Sequence, residues 1–476
     1  MKRPWQASAA LNPVIVVKAA LAVVCVLLLP GCSDFRVPKY QHPQAPVKTN
    51  WARANTLSPG EAISPQWWTQ FGDPTLDALV AQAIAGNIDL KILVGRIATA
   101  KALIAEARAG ALPSVDVTGG ELLQKTISQP SITQYSVGAQ ANWDLDLWGK
   151  VEKGVQAQTA EFHATEADWR AGYLQIVANV ATTYFQILQL DEQIDQQQGA
   201  LAKNQQILAI YQVMRSNGLA PASEVARQQA EIHRLTTDLL ELRRSRDVTE
   251  NALATLVGVP AGEFKVAAGT LQDRVHIPPV PGELPLDLLA RRPDVVAAEF
   301  RVLEAHDLMG QARLARLPTV NLAGQAGIGG LALTDFLKAL TLAFTPTIDI
   351  PALNPGVRAH VKTTEAQLKV AEESYRRTVI VAFEEVESDL VNLESHRQQK
   401  AELQKQIDQL QLASAQLETQ LKLGVISQLD VFEDERSLLA ARLALLASHE
   451  QVLSDTIALY KALGGGWAAV EVANAR

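Results

Sequence analysis

This chain contains one unit written twice, and that constrains its fold more than any other feature. Ala105-Glu-Ala-Arg-Ala-Gly-Ala-Leu-Pro-Ser-Val115 lies over Gly310-Gln-Ala-Arg-Leu-Ala-Arg-Leu-Pro-Thr-Val320 at an offset of 205 residues, sharing an Ala-Arg and a Leu-Pro pair. Gly218 to Val225 lies over Gly424 to Val431 at 206, and the same offset sets Leu253 to Gly258 over Leu459 to Gly464. Tyr173 falls on Tyr375 at 202, so the copies differ by short insertions in loops. A period this long signals a large supersecondary unit used twice. Each half reads as helix, strand, strand, helix, helix.

The strands announce themselves by alternation. From Ser136 to Leu147 one face carries Val137, Ala139, Ala141, Trp143, Leu145 and Leu147, while the other carries Ser136, Gly138, Gln140, Asn142, Asp144 and Asp146. Period-two patterning marks a strand with one wet face. Leu340 to Ile350 repeats the pattern, and Ser114 to Gly120 and Thr319 to Ile328 supply partners. Four strands of this length suit a tilted crossing of a bilayer. They cannot close a barrel alone, and an open edge in lipid leaves backbone groups unpaired at several kcal/mol apiece, so neighbouring chains have to supply the rest. The alternative is a soluble sandwich edge.

The remainder is long helix. Leu403, Ile407, Leu410, Ser414, Leu417 and Leu421 alternate spacings of four and three, as a coiled-coil seam does, and Leu439, Leu443, Leu446, Glu450, Leu453, Ile457 and Tyr460 form a second. A turn from Lys422 to about Leu429 separates them; the first half matches, with a turn near Asn217-Gly218 and a seam through Leu235, Leu239 and Leu242. Val151 to Ser216 would run on the order of 100 Å if continuously helical.

Composition agrees. The 476 residues are only 5% aromatic, with 3 Met, which suits elongated helices better than a globular core. The N-terminus has Lys2, Arg3 and Lys18, an apolar run from Ala19 to Leu29, then Pro30-Gly31-Cys32, and reads as a secretory leader over residues 1–31. Without it the chain holds 40 bases against 51 acids, so nucleic acid is not an expected partner. Cys25 and Cys32 allow neither a stapling disulfide nor a cysteine-based zinc site. The run ending at Cys32 resembles the lipobox of bacterial lipoproteins, which implies a cleaved, acylated Cys32; an ordinary secretory signal is the alternative. Ser33, where Asp would favour the inner membrane, points to the outer one. No cofactor is expected beyond that covalent lipid.

Four landmarks carry a family resemblance: Trp67-Trp68-Thr-Gln-Phe71-Gly72-Asp73-Pro74, Trp143-Asp-Leu-Asp146-Leu-Trp148-Gly149-Lys150, Leu288-Leu289-Ala290-Arg291-Arg292-Pro293-Asp294 and Ala462-Leu463-Gly464-Gly465-Gly466-Trp467. In this order the chain resembles the TolC-like outer-membrane lipoproteins of tripartite efflux systems. The resemblance implies a mainly α protein with membrane β: a homotrimer with a twelve-stranded β-barrel, four strands per chain, continued by a long periplasmic coiled-coil helical barrel. Its implied partners are a periplasmic adaptor, an inner-membrane efflux transporter and outer-membrane lipid. Pro351-Ala352-Leu353-Asn354-Pro355-Gly356 lacks the family's aromatic residue there. The expected division is leader 1–31, lipidated extension 32–65, first repeat 66–265, linker 266–285, second repeat 286–467 and tail 468–476.

The resemblance also carries over site roles. Leu429, Asp430 and Glu433 in the second turn, and Glu224 in the first, match residues that narrow the pore in relatives. Carboxylates crowded around a symmetry axis raise one another's pKa and attract cations; the plainer role is to favour a helix N-terminus. Gly218, Leu219, Ala220, Gly424, Val425 and Ile426 match turns that meet the adaptor. No His-Glu-x-x-His, phosphate loop or Gly-x-Ser-x-Gly occurs. His306, His360, His396 and His449 read as solvated, and Gly464-Gly465-Gly466 as a helix stop. Drug and small-molecule efflux is the expected function. A type I protein-secretion duct and a tethered, non-channel coiled coil are the rivals.

Overall fold

The computed structural model describes residues 37–53, 63–125, 127, 131–280, 290–330, 340–351 and 354–467. The leader, Cys32 and the tail from 468 lie outside them, as do Leu288, Leu289, Ala352 and Leu353. After a short 3-10 turn at Trp67–Phe71 come α1 (Pro74–Gly86), α2 (Ile88–Ala109), β1 (Ser114–Gln124), β2 (Ile132–Leu145), α3 (Lys150–Ser216) and α4 (Ala222–Val257). A single helical turn, α5 (Leu271–Arg274), precedes α6 (Pro293–Leu314), β3 (Thr319–Gly330), β4 (Leu340–Asp349), α7 (Pro355–Lys422) and α8 (Gln428–Ala462). From α2 to α4 and from α6 to α8 the order of elements is the same. No single described helix is long and apolar enough to cross a membrane.

The described residues form two compact units, one from the described parts of 37–42, 100–162 and 301–372 and the other from the described parts of 43–99, 163–300 and 373–467. The first holds an antiparallel sheet in the order β1-β2-β3-β4, so β1 and β4 are edges. Its register places Val117 opposite Ala139, Ala139 opposite Ala326, and Ala326 opposite Leu342. Directly paired residues share a face, so the apolar sets of four strands merge into one continuous surface. The opposite face carries Asp116, Gln140, Gln325 and Ala343 in one row. Leu340, Leu342, Phe344 and Ile348 all stand exposed in the single chain. Pro346 lies on an edge strand, where one ladder bond fewer is tolerated. β1 runs four residues beyond the expected Gly120, although Glu121 interrupts its alternation.

The same unit buries His306, correcting its solvated reading. Its Nε2–H donates to the Pro38 carbonyl at 2.9 Å, and the Tyr40 ring meets it edge-on at 5.6 Å. Lys153 pairs with buried Asp307 at 2.7 Å.

The second unit builds its core from rings. Trp67 stacks on Tyr460 at 5.4 Å, and Phe71 meets Phe185 at 5.2 Å. Trp51 reaches Phe383 at 6.0 Å, while Lys48 Nζ and the Ala52 N–H both contact Glu387, fastening the N-terminal extension along α7. The seam expected in α8 is buried at Leu446, Glu450, Leu453, Ile457 and Tyr460, whereas in the α7 seam Ile407 alone is buried and Leu403, Leu410, Ser414, Leu417 and Leu421 are half-buried. His449 is buried too, again against its solvated reading, whereas His360 is exposed.

Candidate gate and docking turns

Both helical hairpins end in the same device. At the end of α3 the Leu219 N–H donates to the Met214 carbonyl at 2.8 Å and Gly218 N–H to Arg215 at 3.0 Å. At the end of α7 the Val425 N–H donates to Gln420 at 3.0 Å and Gly424 N–H to Leu421 at 2.9 Å. This doubled pattern satisfies carbonyls that a helix end would otherwise orphan, and it needs a left-handed residue at its centre. Gly218 has φ 76° and Gly424 φ 71°, a region costly for any residue with a Cβ.

Beyond the glycines the side chains point outward. Leu219 is 72% and Val425 71% exposed, while Ala220 and Ile426 are half-buried. Leu429, 48% exposed, lies in the first turn of α8 with Asp430. Asp430 closes a capping box: its Oδ2 accepts the Ser427 N–H at 2.9 Å and the Ser427 hydroxyl at 2.7 Å. Those Ser427 bonds hold its carboxyl below the ordinary value, opposite to the rise expected for crowded acids. In one chain the capping role is therefore the visible one.

Glu433, one turn on, is exposed and lines a cleft with Arg234, Asp238 and Arg436, a mixed-charge setting. Glu224 lies half-buried in the first turn of α4, where burial first and the Glu224 charge second push the Tyr211 phenol up to about 12. Asp430 and Glu224 thus occupy corresponding first turns, as the duplication requires, but only Asp430 has the reciprocal serine.

The Outer membrane efflux protein family matches residues 79–259 and 284–465 of this chain. The chain belongs to that family. Similar proteins include the pyoverdine export outer membrane protein OpmQ of Pseudomonas putida, 28% identical over 87% of this chain and 91% of OpmQ. The cation efflux system protein CusC of Escherichia coli is 28% identical over 93% of this chain and 98% of CusC. The open state of the MtrE outer membrane channel of Neisseria gonorrhoeae superposes with a TM-score of 0.80 at 27% identity, covering 90% of this chain and 98% of that one. This efflux protein is built on the plan of those channels: four strands per chain of a trimeric twelve-stranded barrel, with a helical barrel on the periplasmic side.

The landmarks that carried the resemblance hold the efflux protein together. Asp73 caps α1 by accepting the Thr75 N–H at 2.7 Å and also accepts the Tyr184 hydroxyl at 2.7 Å. Asp146 Oδ2 accepts both the Val151 and Glu152 N–H groups at 3.0 Å, turning strand into helix at α3. Arg292, 6% exposed, spans Asp294 at 2.7 Å, Glu385 at 2.6 Å and the Ala462 carbonyl at 3.3 Å, tying α6, α7 and the end of α8. Gly464, Gly465 and Gly466 all take positive φ where α8 stops. The sequence marked these motifs but not their distant partners, because a partner 93 residues away, as Glu385 is from Arg292, leaves no local periodic trace.

Proposed function

We propose that this chain is the passive outer-membrane exit duct of a tripartite efflux system, carrying small molecules from an inner-membrane pump and periplasmic adaptor to the outside, with no chemistry of its own. The observation that carries this reading is the register-aligned apolar face of a four-stranded sheet with two open edges, attached to two long hairpins with matching glycine turns. Such a sheet is stable only when other copies close it within lipid. Drug-like substrates fit a family that includes the antibiotic efflux pump outer membrane protein ArpC of Pseudomonas putida, 30% identical over 93% of this chain.

In the trimer Leu429, Asp430 and Glu433, with Glu224, narrow the periplasmic mouth. The turns Gly218-Leu219-Ala220 and Gly424-Val425-Ile426 meet the adaptor, for which exposed Leu219 and Val425 are suited. Acylated Cys32 sorts and orients the chain, while the barrel spans the bilayer. Replacing Asp430 and Glu433 together with Ala raises single-channel conductance in planar bilayers and weakens block by cations; unchanged conductance from intact trimers overturns the gate assignment. A Cys32→Ser chain secreted by another signal loses all lipid labelling yet keeps functional trimers, and its complete release from the membrane would reverse the order of the two anchors.

A further inference from the structure

The duplicated hairpins share a backbone plan but are sealed with different chemistry. Between α3 and α4 the buried polar groups are amides: Gln197 Nε2 donates to the Leu235 carbonyl at 3.1 Å, and Gln228 Nε2 donates to the Asn204 carbonyl and Oδ1 at 2.8 and 2.9 Å. Buried Glu250 there is matched by two cations. Arg246 contacts Asp191 at 2.8 Å and Glu250 at 2.9 Å, and Glu250 also accepts from Lys265 and the Val266 N–H. Burial opposes the Glu250 charge, but Lys265, the Val266 N–H and Arg246 outweigh it and hold the carboxyl below its ordinary value. Amides do not titrate, and Glu250, held low, stays charged through neutrality.

At the 206-residue offset Val452 and Thr456 replace Arg246 and Glu250, so the clamp is absent from the second hairpin. Glu450 stands where exposed Arg244 stands in the first, yet it is 6% exposed, with Gln451 Nε2 at 3.2 Å. His396 of α7 bonds Asp455 of α8 through Nδ1 at 2.6 Å, and the Ser448 hydroxyl donates to the His396 carbonyl at 3.3 Å. Asp455 and His396 are the charges acting on Glu450; Lys461, Glu385, Asp455 and Arg292 act on Asp389, and Lys400 acts on His449. Glu450, His449 and Asp455 are buried within one chain, and Asp389 and His396 are half-buried.

We propose that the α7–α8 hairpin is a proton-sensitive element of the duct, packed most tightly in acid and loosening toward neutral pH, while the α3–α4 hairpin stays indifferent over the same range. Burial, then Asp455, pushes Glu450 up to about 7, and burial first pushes Asp389 up to about 6. A raised acid stabilises packing below its ordinary value and loses that contribution as pH climbs through the raised one. Burial, then Lys400, lowers His449 to about 4, which works oppositely: its contribution is present above its ordinary 6.5 and fades as pH falls. Over Glu450, Asp389 and His449, closing the hairpin takes up one net proton between about pH 4.5 and 6, none to about 6.5, and one again to about 7, and Asp455, raised by burial first, adds to the uptake on the acid side. From pH 5 to 7 the closed state therefore weakens by about 30-fold.

Amide hydrogen exchange of detergent-extracted trimers at pH 5 and 7, corrected for intrinsic exchange, reads this directly and does not depend on conductance or gate residues. Protection in peptides spanning residues 446–460 falls by about 30-fold at pH 7, and protection across residues 228–250 stays level. Glu450→Gln flattens the response, whereas His449→Gln steepens it to on the order of 1000-fold. Should Glu450→Gln fail to assemble, Asp389→Asn reduces the response to about threefold and serves in its place. An equal response in both hairpins, or an unchanged one in Glu450→Gln, overturns the proposal.

Discussion

The sheet and the helical unit solve opposite problems with one chain. The helical unit hides its large apolar side chains, with Trp67, Phe71, Tyr184 and Tyr460 fully buried, whereas the sheet holds Leu340, Leu342, Phe344 and Ile348 outward. In water the first arrangement is stable alone and the second is a liability, so the sheet is stabilised by lipid and by other copies. The same residue types, read by periodicity alone, therefore mean a core in one region and a surface in the other.

That contrast can be broken in graded ways. Arg292→Ala removes the cation between Asp294 and Glu385 and should cost the helical unit about 4 kcal/mol in denaturant unfolding of the extracted trimer. Leu453→Ala, at a fully buried position in the α8 seam, should cost about 3 kcal/mol by the same measurement. In the sheet the face matters more than the strand. Phe344→Arg places a charge on the apolar face and should cost about 2–3 kcal/mol of barrel stability in lipid, while Thr345→Arg, on the other face of β4, should be close to neutral there. Equal effects at 344 and 345 would refute the assignment of faces. Gly424→Ala, at φ 71°, should cost only about 1 kcal/mol and show as increased exchange confined to the turn.

Much of this architecture is legible in the residues. Alternation located β4 to within a residue at its C-terminal end, and spacings of three and four located the seams of α7 and α8, because those periods follow directly from backbone geometry. Polar residues were read less well. His306 and His449 sit at helical positions that look solvated until the Pro38 carbonyl or a neighbouring helix covers them. Asp430 was read for its place at the turn, and its capping bond to Ser427 is visible only in the folded chain. Pairing chemistry depends on what lies opposite, and a single strand of text carries no record of opposites.

The open edges at β1 and β4 have a consequence for inheritance. Each chain must offer a sound strand on both sides, so one defective edge breaks a ring whatever the other two chains contribute. If half the chains in a cell carry such a defect and mix freely, only about one ring in eight is built wholly from sound copies. A lesion in β4 should behave as dominant over the normal gene, whereas a lesion that keeps the chain from assembling at all should be recessive.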